Sequence, residues 1–279
     1  AIVNIDIALI FAFSLFTYTA LSLLTTGLNW RYVVLLIFAI ILGIFSKGPG
    51  IVLGVVSIPL FIYLTSVHFH IEKRKFFWWV FSTLSLLVAL TFIFVPESYF
   101  ISITNIGAIS QFDSPLTSLG KYTSKSLSAN GLSITHTSYW GNFGWLDTKI
   151  SEKILTIIWS IELIATLGII LFLFSKKSIL YLPQKKYILF FIGIIIALQF
   201  AIRFYDWRVF DTLGKILIGT PGRYFLPNII PHILLIVTGL GFFTRNKKQF
   251  HILLKILALL MILLSLYSII NVIIPRYYL

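Results

Sequence analysis

Eight apolar runs, at residues 5–26, 32–46, 50–66, 77–95, 154–174, 187–205, 224–243 and 252–272, leave this chain few folds to choose from. A hydrocarbon core about 30 Å thick is crossed by roughly 20 helical residues at 1.5 Å each, and most of the runs have that length. Backbone in lipid must satisfy its own hydrogen bonds, so such runs become helices. The expected fold class is all-α: a polytopic transmembrane bundle of about eight spans, read as one transmembrane domain over 1–279 with an outer-face loop at 96–153. A chain that is 58% hydrophobic and 11% charged lies outside the range of soluble domains, which agrees.

The net charge of +13 is distributed for a membrane and argues against nucleic acid. Basic residues cluster in short connectors at Arg31, at Lys73, Arg74 and Lys75, at Lys176, Lys177, Lys185 and Lys186, and at Arg245, Lys247 and Lys248. Glu72 is the one acid among them. By the positive-inside rule these connectors face the cytoplasm, while 96–153, 206–223 and both termini face outward. With no cysteine, disulfides and thiolate metal sites are unavailable, and no metal or cofactor is expected. A chain that starts at the outer face with Ala1, without a basic stretch before its first span, is expected to be a piece of a longer protein.

Few polar residues lie where chemistry is possible. Lys47 sits in Ser46-Lys47-Gly48-Pro49-Gly50, where glycine and proline break the second span at head-group depth. It reads as a phosphate site beside glycine amides or as an end-of-span lysine reaching for water. Arg223 precedes a proline-punctuated span and reads as a bidentate anion grip or an interfacial anchor. Glu162, about eight residues into its span, is costly in lipid unless neutral or paired. It is either functional or half of a structural pair with Arg203 or Gln199 on the next span. Asn4 and Asp6 open the first span. Asp147 lies near the end of the aromatic–glycine segment Ser138–Thr148, which carries Trp140 and Trp145 at the expected membrane interface, and Asp6 with Asn4, or Asp147, could orient a sugar hydroxyl or a metal. Asp147 reads equally as a helix cap. The five histidines are not expected to converge, and no P-loop, dinucleotide fingerprint or nucleophile elbow is present.

Three of these segments carry a resemblance. Val3-Asn4-Ile5-Asp6, Tyr139-Trp140-Gly141-Asn142-Phe143-Gly144-Trp145-Leu146-Asp147 and Gly222-Arg223-Tyr224-Phe225-Leu226-Pro227 together resemble an uncharacterised family of multispanning bacterial proteins related in architecture to the GT-C glycosyltransferases. Ser46-Lys47-Gly48-Pro49 is similar to a turn in several GT-C enzymes. Departures are Ile5 for a second asparagine and Pro221 for the glutamine before the Gly-Arg pair. GT-C enzymes transfer a sugar from a polyprenyl phosphate at the outer face of the membrane. The resemblance implies donor-phosphate contacts from Lys47 and Arg223 and a cavity lined by Asn4, Asp6, Trp140, Trp145, Asp147, Glu162 and Arg203. Expected partners are membrane lipids and a polyprenyl-phosphate-linked sugar, in a bacterial cytoplasmic membrane. The family's catalytic acid lies in a first outer loop, so no catalytic residue is assigned and the base is expected upstream of Ala1. The alternatives are a transporter or flippase for lipid-linked saccharides, or a structural subunit.

Overall fold

The computed structural model describes residues 5–69, 114–143, 148–175, 181–213 and 220–278. The described chain is almost wholly helical, apart from a two-residue hairpin pairing β1 (Asn142–Phe143) with β2 (Thr148–Lys149). Six helical segments are long and apolar enough to cross a membrane: Asp6–Thr26, Gly48–Ser66, Glu152–Phe174, Lys185–Thr212, Gly222–Phe242 and Lys247–Arg276. Their surfaces carry large bare side chains such as Ile7 (65% exposed), Phe174 (86%) and Phe200 (70%). Water would not tolerate so much apolar surface on a monomer, and lipid would. The chain is therefore a multi-pass membrane protein. Of the eight expected spans, the second is a shorter apolar helix and the fourth, 77–95, lies outside the described residues.

The chain divides into two compact units, Ala1–Ser126 with Gly193–Ile218, and Leu127–Ile192 with Gly219–Leu279. In the first unit α1 (Ile5–Thr26) packs on α2 (Trp30–Ser46) and α3 (Ile51–Phe69), burying Phe13, Phe16, Leu23, Leu36 and Leu53. Buried Thr17 and Thr19 in α1 are harmless because their hydroxyls donate back to the carbonyls of Phe13 and Leu15. Between α2 and α3 the chain breaks at Gly48–Gly50, as proline and glycine there require, and Lys47 takes an extended conformation (φ −164°). The helix α4 (Pro115–Ser126) completes this unit against the C-terminal half of α7 (Lys185–Leu213). Trp207 donates to Ser118 Oγ at 3.0 Å and Arg203 to Ser126 Oγ at 2.6 Å.

In the second unit α5 (Ala129–Trp140) leads through the hairpin to α6 (Glu152–Phe174). A 3₁₀ segment, Gly222–Asn228, feeds α8 (Ile229–Phe242), and α9 (Lys247–Ser268) continues through a π-turn at Ile269–Ile273 into the short α10 (Ile274–Tyr277). Here α6 and α8 cross at backbone contact. A Cβ on Gly168 would lie 2.0 Å from the carbonyl oxygen of Gly239, and one on Gly239 would lie 1.9 Å from that of Ala165. Small residues let helices in lipid gain dispersion energy by close approach, and this crossing fixes where α6 presents Glu162.

Two expectations need correction. The segment 96–153 was expected to be a loop without helical period, yet it contains α4, α5 and the hairpin. Ser128 caps α5 by accepting from the Gly131 amide, a start signal set among small polar residues that otherwise suggest a loop. The sixth span was expected to end near 205, but α7 runs to Leu213. Its polar last turns are held by an Arg208–Asp211 pair at 3.2 Å, one turn apart.

Candidate functional site

The polar centre of the second unit is built on three helices. The side chains of His136, Tyr139 and Trp140 occupy positions i, i+3 and i+4 of α5, so they share one face. That face meets Glu162 of α6 and His232 of α8. Trp140 Nε1 donates to Glu162 Oε1 at 2.8 Å, and His136 Nε2 lies 2.9 Å from Oε2. His232 Nε2 lies 3.2 Å from Oε1, while its Nδ1 is 3.0 Å from the Tyr139 hydroxyl. The rings of Tyr139, Trp140 and His232 contact one another, Tyr139 edge-on to Trp140 and His232 tilted against both, with centroids 5.3–5.8 Å apart. Glu162 is 17% exposed at its side chain, so its lone pairs are satisfied by protein donors in place of water.

Proton positions follow from donor and acceptor capacity. An indole N–H can only donate and a carboxylate can only accept, so both oxygens of Glu162 act as acceptors. Each histidine therefore carries its proton on Nε2, facing the carboxylate. In a neutral His232 ring Nδ1 is then a lone pair, which accepts from the Tyr139 hydroxyl. Desolvation of the part-buried phenol, and secondarily the Glu162 carboxylate, push the Tyr139 pKa above the ordinary tyrosine value, which keeps that donor proton in place.

Two further features adjoin this centre. An apolar cavity of about 510 Å³ lies among α6, α8 and α9, bordered by Ile158, Val237, Met261 and Leu264 and by Trp140. Among its described lining residues Glu162 alone carries a charge. Gly222 packs directly on α5: its amide donates to Ser138 Oγ, and a Cβ there would fall 2.2 Å from the Tyr139 nitrogen. Only glycine fits. The next residue, Arg223, is thereby fixed one position from the helix that bears His136, Tyr139 and Trp140. Arg223 is exposed, with its guanidinium carbon 5.4 Å from the centre of the Tyr224 ring.

In the first unit Lys47 Nζ and Asp6 Oδ1 form an ion pair at 2.7 Å, with 35% and 33% of the side chains exposed. The expected residues thus fall into separate groups: Asp6 with Lys47, Arg203 with Gln199 and Ser126, and Trp140 with Glu162. Asn4, Trp145 and Asp147 lie outside the described residues. Glu162 was expected to pair with Arg203 or Gln199, and its partners are His136, His232 and Trp140 instead. The histidines were expected not to converge, whereas two of the five meet on one carboxylate, brought there by α5 and α8 from 96 residues apart in sequence. The shared face of His136, Tyr139 and Trp140 was the available signal. Reading 96–153 as a loop hid it. Among the described residues, no group of three or more histidine, cysteine or acidic side chains is arranged to hold a metal ion.

The chain matches no family model, no curated protein and no solved structure.

Proposed function

We propose that this chain is the membrane-embedded, donor-binding part of a GT-C-like glycosyltransferase of cell-surface glycan assembly, using a polyprenyl-phosphate-linked sugar at the outer face. The observation that carries the reading is the apolar cavity whose one charged residue among the described lining, Glu162, joins a polar cluster on α5, with exposed Arg223 following the Gly222 that packs on the same helix. A prenyl chain needs a long apolar surface and its phosphate needs a cation, and these elements occur together in one unit. The three motifs that resemble the family supply the enzymatic part of the reading. Lys47 would reach a phosphate only by exchanging its Asp6 partner. Arg223 is therefore the leading phosphate contact.

The test uses the full-length protein in nanodiscs, with a polyprenyl phosphate and the matching uncharged polyprenol as probes. A charge-assisted bond contributes roughly 1.5–3 kcal/mol, and 1.4 kcal/mol is a decade in affinity. Arg223→Ala should weaken the phosphate about tenfold or more and leave the polyprenol unchanged. Filling the cavity with Leu264→Trp should weaken both. Equal loss of both probes in the arginine variant, or no binding of either by the wild type, refutes the donor site. Movement of a lipid-linked sugar across the bilayer without transfer would mark a flippase.

A further inference from the structure

We propose that His136 is the proton acceptor for a hydroxyl substrate at this site, through its Nδ1, and that Glu162 is the positioning residue that holds the Nε2 proton and so leaves the neutral ring's lone pair on Nδ1. The inference rests on the transfer reading above and names the group that reading leaves unassigned.

Every other polar group of the cluster is already engaged. Trp140 has one polar atom, a donor, and Glu162 uses it. His232 is engaged on both sides, at Glu162 through Nε2 and at the Tyr139 hydroxyl through Nδ1. The Tyr139 phenol is a poor base because burial holds its proton. That leaves His136. Its Nε2 proton faces Glu162 Oε2, so neutral imidazole must carry its lone pair on Nδ1. Among the described residues nothing hydrogen-bonds that atom, and 21% of the side chain is exposed. A carboxylate holding one imidazole nitrogen so that the other acts as base is the working arrangement of hydrolytic triads. Here one carboxylate orients two imidazoles. His232 is closed by tyrosine, and His136 is open.

The step balances without a further reagent. The acceptor hydroxyl gives its proton to His136 Nδ1 as its oxygen bonds to the anomeric carbon. The bond from that carbon to the phosphate oxygen breaks, and its electron pair leaves on the polyprenyl phosphate. The resulting imidazolium faces Glu162, which stabilises the charge as it forms.

Two measurements on the full-length protein in nanodiscs test this. Diethyl pyrocarbonate acylates an unprotonated, accessible imidazole nitrogen, and peptide mass spectrometry locates the product. His136 should react at least tenfold faster than His232, and the reverse order overturns the assignment whatever the protein's activity. The second measurement is sugar transfer from radiolabelled lipid-linked sugars extracted from the source membrane. His136→Gln retains an N–H for Glu162 but has no base, and should lower kcat by about 10²–10⁴-fold, the span of general base catalysis, with polyprenyl-phosphate binding unchanged. Added imidazole should restore part of the rate to His136→Ala. In Glu162→Gln the amide N–H turns His136 to its other tautomer, so kcat should fall while KM for donor stays. Full transfer by His136→Gln overturns this inference and leaves the donor site standing. Absence of transfer by the wild type, with polyprenyl phosphate still bound, overturns the enzymatic reading and takes the inference with it.

Discussion

Glu162→Leu and Glu162→Gln, compared side by side, measure how much the three-helix cluster contributes to the fold. In the native chain the carboxylate meets three N–H groups at 2.8, 2.9 and 3.2 Å from two other helices. Leucine has similar bulk and no acceptor, so Trp140, His136 and His232 lose their common partner together. An unsatisfied buried donor costs about 1–3 kcal/mol. The site retains some exposure, at 21% for His136 and 28% for His232, so water recovers part of two of the three losses. A net loss of about 3–5 kcal/mol follows. Glutamine behaves differently. Its carbonyl can accept from Trp140 and His232, and its amide can donate to His136 once that ring changes tautomer. Only the charge assistance is lost, about 1–2 kcal/mol. Thermal unfolding of both variants in the same nanodiscs, followed by tryptophan fluorescence, should therefore rank wild type above glutamine and glutamine well above leucine. If leucine is as stable as the wild type, as expected for burying an ion cluster that was a net cost, the cluster does not hold α5 on α6 and the reasoning is refuted.

Three other outcomes are expected. Gly239→Ala places a methyl carbon where 1.9 Å separates it from a backbone oxygen of α6, and should destabilise by about 1–3 kcal/mol or more in chemical denaturation, while Gly193→Ala, with open space around it, should be neutral or stabilising. Tyr139 has a raised pKa in the folded state, so below the ordinary tyrosine pKa of about 10 its protonation does not affect stability. Above that value the unfolded chain ionises first, so stability falls as pH rises toward the folded value. Tyr139→Phe should flatten this alkaline loss, read as unfolding midpoint against pH from 9 to 11 or so. Cysteines placed at Ser124 and at Ser178 should differ in labelling by an impermeant thiol reagent in intact cells, with Ser124→Cys alone reacting; equal or reversed labelling refutes the orientation drawn from the basic connectors.

The apolar runs were legible because length and hydropathy are properties of contiguous sequence, and lipid leaves such a run only the helix. The break at Gly48-Pro49-Gly50 was equally local, since proline removes a donor and clashes with the preceding turn. Helix boundaries were less legible where polar residues carried a helix beyond its apolar run. Residues 206–213 of α7 look like a connector by hydropathy, but Arg208 and Asp211 satisfy each other along the helix and Trp207 anchors it to α4. The same holds for α5, where serine, threonine and asparagine are weak helix formers and tertiary contacts with Gly222 and Glu162 decide the outcome.

The candidate site was half legible for a related reason. Depth in an apolar run marks Glu162 as a residue that must be paired, whatever the fold, because an isolated carboxylate in lipid is too costly. Identifying the partner requires knowing which helices touch. The next span supplies a plausible cation at Arg203, and proximity in sequence made it the natural candidate. The crossing of α6 with α8 at Gly168 and Gly239 instead brings His232, which sits seven residues before Gly239 and thus about two turns along the same face. Pairs of small residues in two apolar runs are visible in sequence, but they do not say which run packs on which. Glu162 lies about one turn before Ala165, whose carbonyl oxygen faces Gly239, so only the observed crossing names the pair. It places Glu162 and His232 on the same side of the crossing, where a carboxylate and an imidazole meet without either having to face lipid.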